Sequence, residues 1–146
     1  MYAAFCALAL LPDTDVVGLK LHVAYAAEWG HRGAAHSLAI AAGVGLLVAL
    51  CTSGRTGLLA GAVVASHGLL DSMTDGGLGV ALLWPLSHAR YFAPWRPIPV
   101  APIGARMLSA RGLHVVLVEA LMFAPLTLYA LWPKRRRPPL GQSAAG

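Results

Sequence analysis

The sequence predicts an all-α membrane protein with about three full transmembrane helices, a partial N-terminal helix, and a re-entrant or interfacial segment. Three observations carry this expectation. Of 146 residues, 58% are apolar and 12% are charged, about half the charged share of an average soluble domain, which is roughly 25%. Mean hydropathy is +0.66. The apolar residues also gather into runs separated by short polar, Gly or Pro breaks. So few charges cannot cover a water-facing surface. Disorder requires low hydrophobicity, and no Gly-x-y or heptad period is present, so an unfolded chain, a collagen and a coiled-coil rod are all excluded.

Residues 2–11 are apolar, and ten residues make about 15 Å of helix, half of a hydrocarbon core about 30 Å thick. This run lacks the basic start and small-residue cleavage site of a signal peptide. Pro12 ends it. Residues 16–33 are loop-like, broken by Gly18, Gly30 and Gly33. Residues 34–52 form the first full span, and Ser53-Gly54-Arg55 makes a tight turn. Residues 56–73 form the second span, whose Gly57, Gly61, Ala65 and Gly68 make a small-residue stripe that lets a neighbouring helix approach closely.

Residues 74–112 change character. Asp75-Gly76-Gly77 is a turn, and the apolar run 78–86 is too short to cross. Pro94, Pro97, Pro99 and Pro102 exclude a regular helix. Arg90, Tyr91, Phe92, Trp95 and Arg96 suit a membrane interface. Residues 113–132 form the last span, closed by Pro133. Residues 1–133 are thus expected to form one membrane-embedded helical domain, and 134–146 a basic, Pro-containing tail. Lys134, Arg135, Arg136 and Arg137 flank the last span and place the C-terminus in the cytoplasm.

The formal charge is +5, yet the basic residues do not interleave with aromatic ones as a nucleic-acid platform requires. No nucleic acid is expected. Membrane lipid is the expected partner, with a small-molecule or lipid-like substrate. Cys6 and Cys51 stand in separate apolar runs and are expected as buried apolar fillers without a disulfide.

The informative residues are the few acids and histidines. Asp13, Asp15, Asp71 and Asp75 all lie at the ends of apolar runs. Antiparallel packing of successive helices brings them to one membrane face, together with His31, Arg32, His36 and His67. His67 and Asp71 are one turn apart and share a helix face. An ionisable group in a membrane helix costs about 2.5–3.5 kcal/mol and points to function. His31 and His36 are five apart, which is off-face on a helix. His31 therefore belongs to the preceding loop, with Gly33 turning the chain and Ser37 capping the helix or supporting His36. Mixed nitrogen and oxygen donors suit a divalent ion, most readily Zn²⁺, with Mn²⁺ or Fe²⁺ as alternatives. The expected metal ligands are His31, His36, His67, Asp71 and Asp15. Asp13, Asp15 and Arg32 are the expected catalytic groups: a carboxylate to take a proton and a guanidinium to steady an anion. His88, Arg90, Arg96, His114 and Glu119 rank second.

These motifs resemble a known family. LPDTD (11–15), HRGAAHS (31–37), SHGLLDSMTDGG (66–77), LLWPLS (82–87), RYFAPWRPIPVAPIG (90–104) and SARGL (109–113) are similar to the YdjM-like, LexA-binding, inner-membrane-associated hydrolases, also described as membrane-bound metal-dependent hydrolases. The resemblance spans about residues 10–120. It implies a bacterial inner-membrane protein and a metal-dependent hydrolase. It supports Asp13, Asp15, His31, His36, His67 and Asp71 as ligands or catalytic groups. Members usually begin with a longer apolar helix carrying a Thr-His, so either the start is truncated here or one polar group is missing.

The expected activity is metal-dependent hydrolysis of an ester or phosphoester near the membrane interface. One alternative is a non-catalytic membrane protein with a structural metal. Another is a small transport or ion-pathway protein, which would need polar residues through the helix depth; residues 40–50 and 58–64 are apolar instead.

Overall fold

The computed structural model describes residues 2–132; the expected tail from 134 onward lies outside the described residues. The chain divides into two compact units, Met1–Pro102 and Ile103–Gly146.

In the first unit, helix α1 (Tyr2–Ala9) runs into a 3-10 turn, Pro12–Asp15, and then into the short α2 (Val16–Lys20). Pro12 starts the 3-10 turn, where its missing N–H costs nothing. A looped stretch leads to a second 3-10 turn, Ala34–His36, and then to α3 (Leu38–Cys51) and α4 (Gly54–Ser72). Ser37 caps α3, its Oγ accepting from the Ile40 N–H at 3.2 Å. Ser53 caps α4 in the same way. The expected loop over 16–33 thus contains one short helix.

Helices α3 and α4 form an antiparallel hairpin about the Ser53 turn, and the small-residue stripe explains how close they lie. A Cβ added at Gly57 would collide with Ala49 Cβ and the Gly45 carbonyl, and Gly61 has Ala41 O only 3.2 Å from where its Cβ would stand. Gly68 has a different neighbour. Its missing side chain lets α4 pass directly against the His36 carbonyl.

Residues 73–102 contain no helix. Among the described residues there is also no strand, only isolated bridges at Thr74–Ile98 and Val80–Tyr91. This proline-rich segment folds over the end of the hairpin where α3 begins and α4 finishes. Leu82 O accepts from the Leu38 N–H, Arg32 O accepts from Ala81, and Ser72 O accepts from Ala93. Asp75 is used here, its carboxylate accepting from the Val100 N–H at 2.7 Å.

The second unit contains a 3-10 turn, Gly104–Leu108, and α5 (Ala110–Leu131). Ser109 caps α5, and Pro125 lies within it. Among the described residues α5 is the one helix long and apolar enough to cross a membrane.

Of the three full spans expected, α5 is the one supported among the described residues. Helix α3 has 14 residues, about 21 Å, because Gly33, the 3-10 turn and the Ser37 cap remove the first turn of the expected run. Helix α5 starts three residues earlier than expected. Cys6 and Cys51 are free, as expected, but exposed rather than buried. They face outward with Leu46, Leu47, Leu50 and Leu58, the reverse of the soluble pattern and the arrangement that a lipid environment demands.

Candidate metal centre

Six polar residues are buried at the α3-start, α4-end side of the hairpin: His31, Arg32, His36, Ser37, Ser72 and Thr74. Buried polar groups must find partners, and tracing those partners defines the site.

Four side chains from three elements meet. Asp13 comes from the first 3-10 turn, His36 from the second, and His67 and Asp71 from α4. One donor atom from each lies within 4.8 Å of all the others. His36 Nε2 is 3.6 Å from Asp13 Oδ1 and 3.3 Å from Asp71 Oδ2. His67 Nε2 is 3.3 Å from Asp13 Oδ1 and 3.9 Å from Asp71 Oδ2. A tetrahedral ion with bonds of about 2.0–2.1 Å sets its ligands about 3.3 Å apart. The cluster is therefore close to the required size without rearrangement.

The tautomers also fit. His67 Nδ1 is 2.7 Å from the Ala9 carbonyl. A carbonyl only accepts, so Nδ1 carries a proton, and in the neutral ring Nε2 is the nitrogen left to face the cluster. His36 Nδ1 is 3.0 Å from Asp15 Oδ2, the carboxylate–histidine arrangement that orients metal ligands. Nε2 of both histidines, like His36 Nδ1, is buried without a well-aligned hydrogen bond. Two buried imidazole nitrogens facing two carboxylates are a group that could hold a cation.

Asp15 bridges two imidazoles. Its other oxygen lies 2.7 Å from His31 Nδ1, and Oδ2 also accepts from the Arg32 N–H at 3.2 Å. Asp15, His31 and His36 form a second group of potential ligands. It shares His36 with the first, through that residue's opposite nitrogen. His31 and Asp15 thus stand behind His36, while Asp13 joins the four-atom cluster.

Arg32 is 5% exposed and holds φ 62°, a left-handed conformation that costs a non-glycine residue energy. Its Nη1 donates to Thr74 Oγ1 at 2.7 Å and to the Gly76 carbonyl at 3.0 Å. Its Nε lies 3.3 Å from Asp71 Oδ2. Thr74 and the Ala9 and Gly76 carbonyls carry no signal in the sequence. Arg90 reaches this region too, donating to the carbonyls of Tyr25, Ala27 and His31 and so tying down the loop that carries His31. His88 is exposed beside Glu28, 3.8 Å away, and takes no part in the cluster.

The electrostatics follow from this crowding. Three carboxylates (Asp13, Asp15, Asp71) face one guanidinium (Arg32), so with neutral imidazoles the group carries −3 + 1 = −2. One divalent ion balances it. Without an ion, protons must. Burial by itself disfavours a charged His36, but Asp13, Asp15 and Asp71 around it outweigh that and push it up to about 10. Burial likewise works against ionised Asp13 and Asp15, but the neighbouring imidazoles prevail and hold both carboxyls below the usual range.

A family model described as YdjM inner membrane protein matches residues 1–137. The chain belongs to the YdjM family. A similar protein is inner membrane protein YbcI of Escherichia coli (strain K12), 42% identical over 142 residues that cover 88% of this chain and 81% of that protein. No solved structure matches. As a YdjM family member the chain is an inner membrane protein, which accounts for its outward-facing leucines and scarce charge.

Proposed function

We propose that this YdjM family protein is a membrane-embedded, metal-dependent hydrolase acting on an ester or phosphoester at the membrane interface. The observation that carries the reading is the pair of buried imidazole Nε2 atoms facing Asp13 and Asp71 at ligand spacing without a hydrogen bond. His36, His67 and Asp71 would hold the ion, with Zn²⁺ favoured by the mixed nitrogen and oxygen donors and Mn²⁺ or Fe²⁺ as alternatives, and Asp13 would stand beside the position left open for water. Such an ion, when bound, lowers the pKa of water from about 16 towards about 7 and polarises the bond to be cleaved.

The protein's own residues do the rest. The Ala9 carbonyl holds His67 through Nδ1, and Asp15 stands 3.0 Å from His36 Nδ1. Arg32 fixes Asp71. Asp13 is the most open member, its side chain 44% exposed against 0% for His36, so substrate reaches the cluster on the Asp13 side. That exposure suits Asp13 to take the proton of the attacking water. The α3–α4 hairpin would be embedded from the Ser53 turn up to the cluster. Residues 74–102 would lie at the interface as a cover. The test is hydrolysis of a panel of phosphomonoester, phosphodiester and carboxylic ester reporters by purified protein. Activity on at least one class, lost on chelation and restored by Zn²⁺ or Mn²⁺, is expected; no turnover of any class with metal bound would sink the hydrolase reading.

Proton competition gives a pH prediction. His36, raised above its ordinary 6.5 to about 10, stabilises the metal-free fold fully below pH 6.5 and loses that contribution as pH rises towards 10. Asp13 and Asp15, held below their ordinary 3.8, contribute above that value and lose the contribution on acidification. The metal-free protein should therefore melt at a lower temperature as pH climbs from 6.5 to 10. Metal binding displaces the His36 proton, so apparent affinity strengthens with pH, about tenfold per unit for each proton released. Thermal melts in detergent with and without Zn²⁺ should show opposite slopes in this window, and parallel slopes would contradict the ligand assignment of His36.

The expected orientation places the C-terminus in the cytoplasm and the cluster at the outer face. A Ser53→Cys variant lacking the two native cysteines checks it. A membrane-impermeant thiol reagent applied to intact spheroplasts should leave the residue unlabelled; labelling would put the cluster on the cytoplasmic side.

A further inference from the structure

The segment over the hairpin end carries a set of large side chains that stay exposed among the described residues. Leu86 is 94% exposed, and Trp29, Leu83, Phe92 and Trp95 are exposed as well. The Trp29 and Trp84 rings meet edge to face at 5.2 Å, which joins the loop before His31 to the 83–95 segment. The Arg96 guanidinium stacks 4.8 Å over the Phe92 ring.

Two occupants of such a patch are conceivable, a protein and a lipid surface, and the residue types favour lipid. Indole and a ring-stacked guanidinium combine an apolar body with a polar tip, the composition that settles at membrane–water boundaries. The prolines at 94, 97 and 99 offer no N–H, so this backbone leaves fewer donors unsatisfied when water thins. Position agrees. Leu82 is bonded to the first residue of α3, and Ala93 to the last of α4. The rim therefore sits at the end of the hairpin whose flanks show bare leucines, in a family of inner membrane proteins.

We propose that Trp29, Leu83, Trp84, Leu86, Phe92 and Trp95 form a lipid-docking rim that holds the Asp/His cluster at headgroup depth, so that its substrate is an ester carried by a membrane amphiphile and enters from the leaflet. The docking surface stands on its own observations; the substrate class rests on the hydrolase reading. With the cluster at that depth, the hydrolysable headgroup bond of a lipid and Asp13, the open member, share one level. A fully water-soluble substrate would have no need of the rim.

The experiment separates the two parts. A Leu86→Cys variant, with Cys6 and Cys51 changed to serine, is labelled with a polarity-sensitive fluorophore and reconstituted into phosphatidylethanolamine–phosphatidylglycerol vesicles. Its emission should shift to the blue. Lipids brominated near the headgroup should quench it more than lipids brominated at the chain ends, and aqueous iodide should quench it little. Quenching by iodide without quenching by brominated lipid overturns the docking rim, and strongest quenching from the chain ends overturns headgroup depth. Native tryptophan emission of the unmodified protein, quenched by the same lipids, gives the result should the variant misfold. None of these readings needs metal or turnover, so they hold or fail independently of the hydrolase assignment. For the substrate, hydrolysis of an ester lipid should slow when it is diluted with inert lipid at constant bulk concentration. A rate that follows bulk concentration alone overturns entry from the leaflet.

Discussion

Replacing His67 with alanine is expected to empty the cluster of metal. Protein purified from metal-replete cells should carry a divalent ion, and the variant should lose it at submicromolar free metal. The loss should exceed the roughly 10–100-fold drop in affinity that follows removal of an orienting residue behind a ligand, because His67 supplies a donor atom itself. Asp71→Ala should act in the same way. His31→Ala should fall within the smaller range, since His31 reaches the site through Asp15, at 2.7 Å, and by its ring packing edge to face on His36. Elemental analysis together with competition against a chelator of known affinity checks the ranking. Equal losses for His31→Ala and His67→Ala would mean that the ion lies in the Asp15–His31–His36 group instead. Full metal content in His67→Ala and in Asp71→Ala would mean that neither holds the ion.

That ranking separates what the sequence discloses from what it does not. The convergence of Asp13, His36, His67 and Asp71 is legible, because each charge stands at the end of an apolar run and antiparallel helices must bring such ends together. The i, i+4 spacing places His67 and Asp71 on one face. The division of labour is not legible. His31 and His36 are both expected as ligands in HRGAAHS, and in PDTD the expected ligand is Asp15, with Asp13 expected only as a catalytic group. What parts them is which nitrogen of His36 faces which carboxylate, and that depends on the rise of two 3-10 turns and on the close pass of Gly68 against the His36 backbone. Spacing records neither. The helix lengths err for a related reason. Residues 34–37 read as more of the apolar run, but Ser37 takes extended φ/ψ to cap α3, and α3 is shortened to 14 residues. The cysteines err in the opposite sense. Treating small apolar residues as core fillers is a rule for water, and a chain bathed in lipid turns them outward.

Arg32 offers the second large effect, and one that separates holding a ligand from being one. Its expected role as a substrate anchor conflicts with its surroundings: it is buried, and its guanidinium already serves Thr74, Gly76 and Asp71. Arg32→Met keeps much of the apolar stem but removes the charge. It leaves Asp71 without the guanidinium, and the Gly76 carbonyl with only the Thr74 hydroxyl as donor. Breaking a buried ion pair from one side costs about 3–5 kcal/mol, so the metal-free variant should unfold at a markedly lower temperature. Arg32→Lys should recover little, because an ammonium cannot serve Thr74, Gly76 and Asp71 together in the guanidinium's fork. Arg32 gives no donor atom to the cluster, however, and its removal makes the site more negative. Both variants should therefore still bind one divalent ion, and saturating metal should restore stability in proportion to the logarithm of its excess over the dissociation constant. Thermal melts with and without Zn²⁺, read beside the bound-metal content, decide the matter. A variant that keeps its stability but fails to turn over substrate would return Arg32 to the substrate side. A variant that loses stability, binds metal and is rescued by it identifies Arg32 as the fixed cation that lets three carboxylates share so small a space.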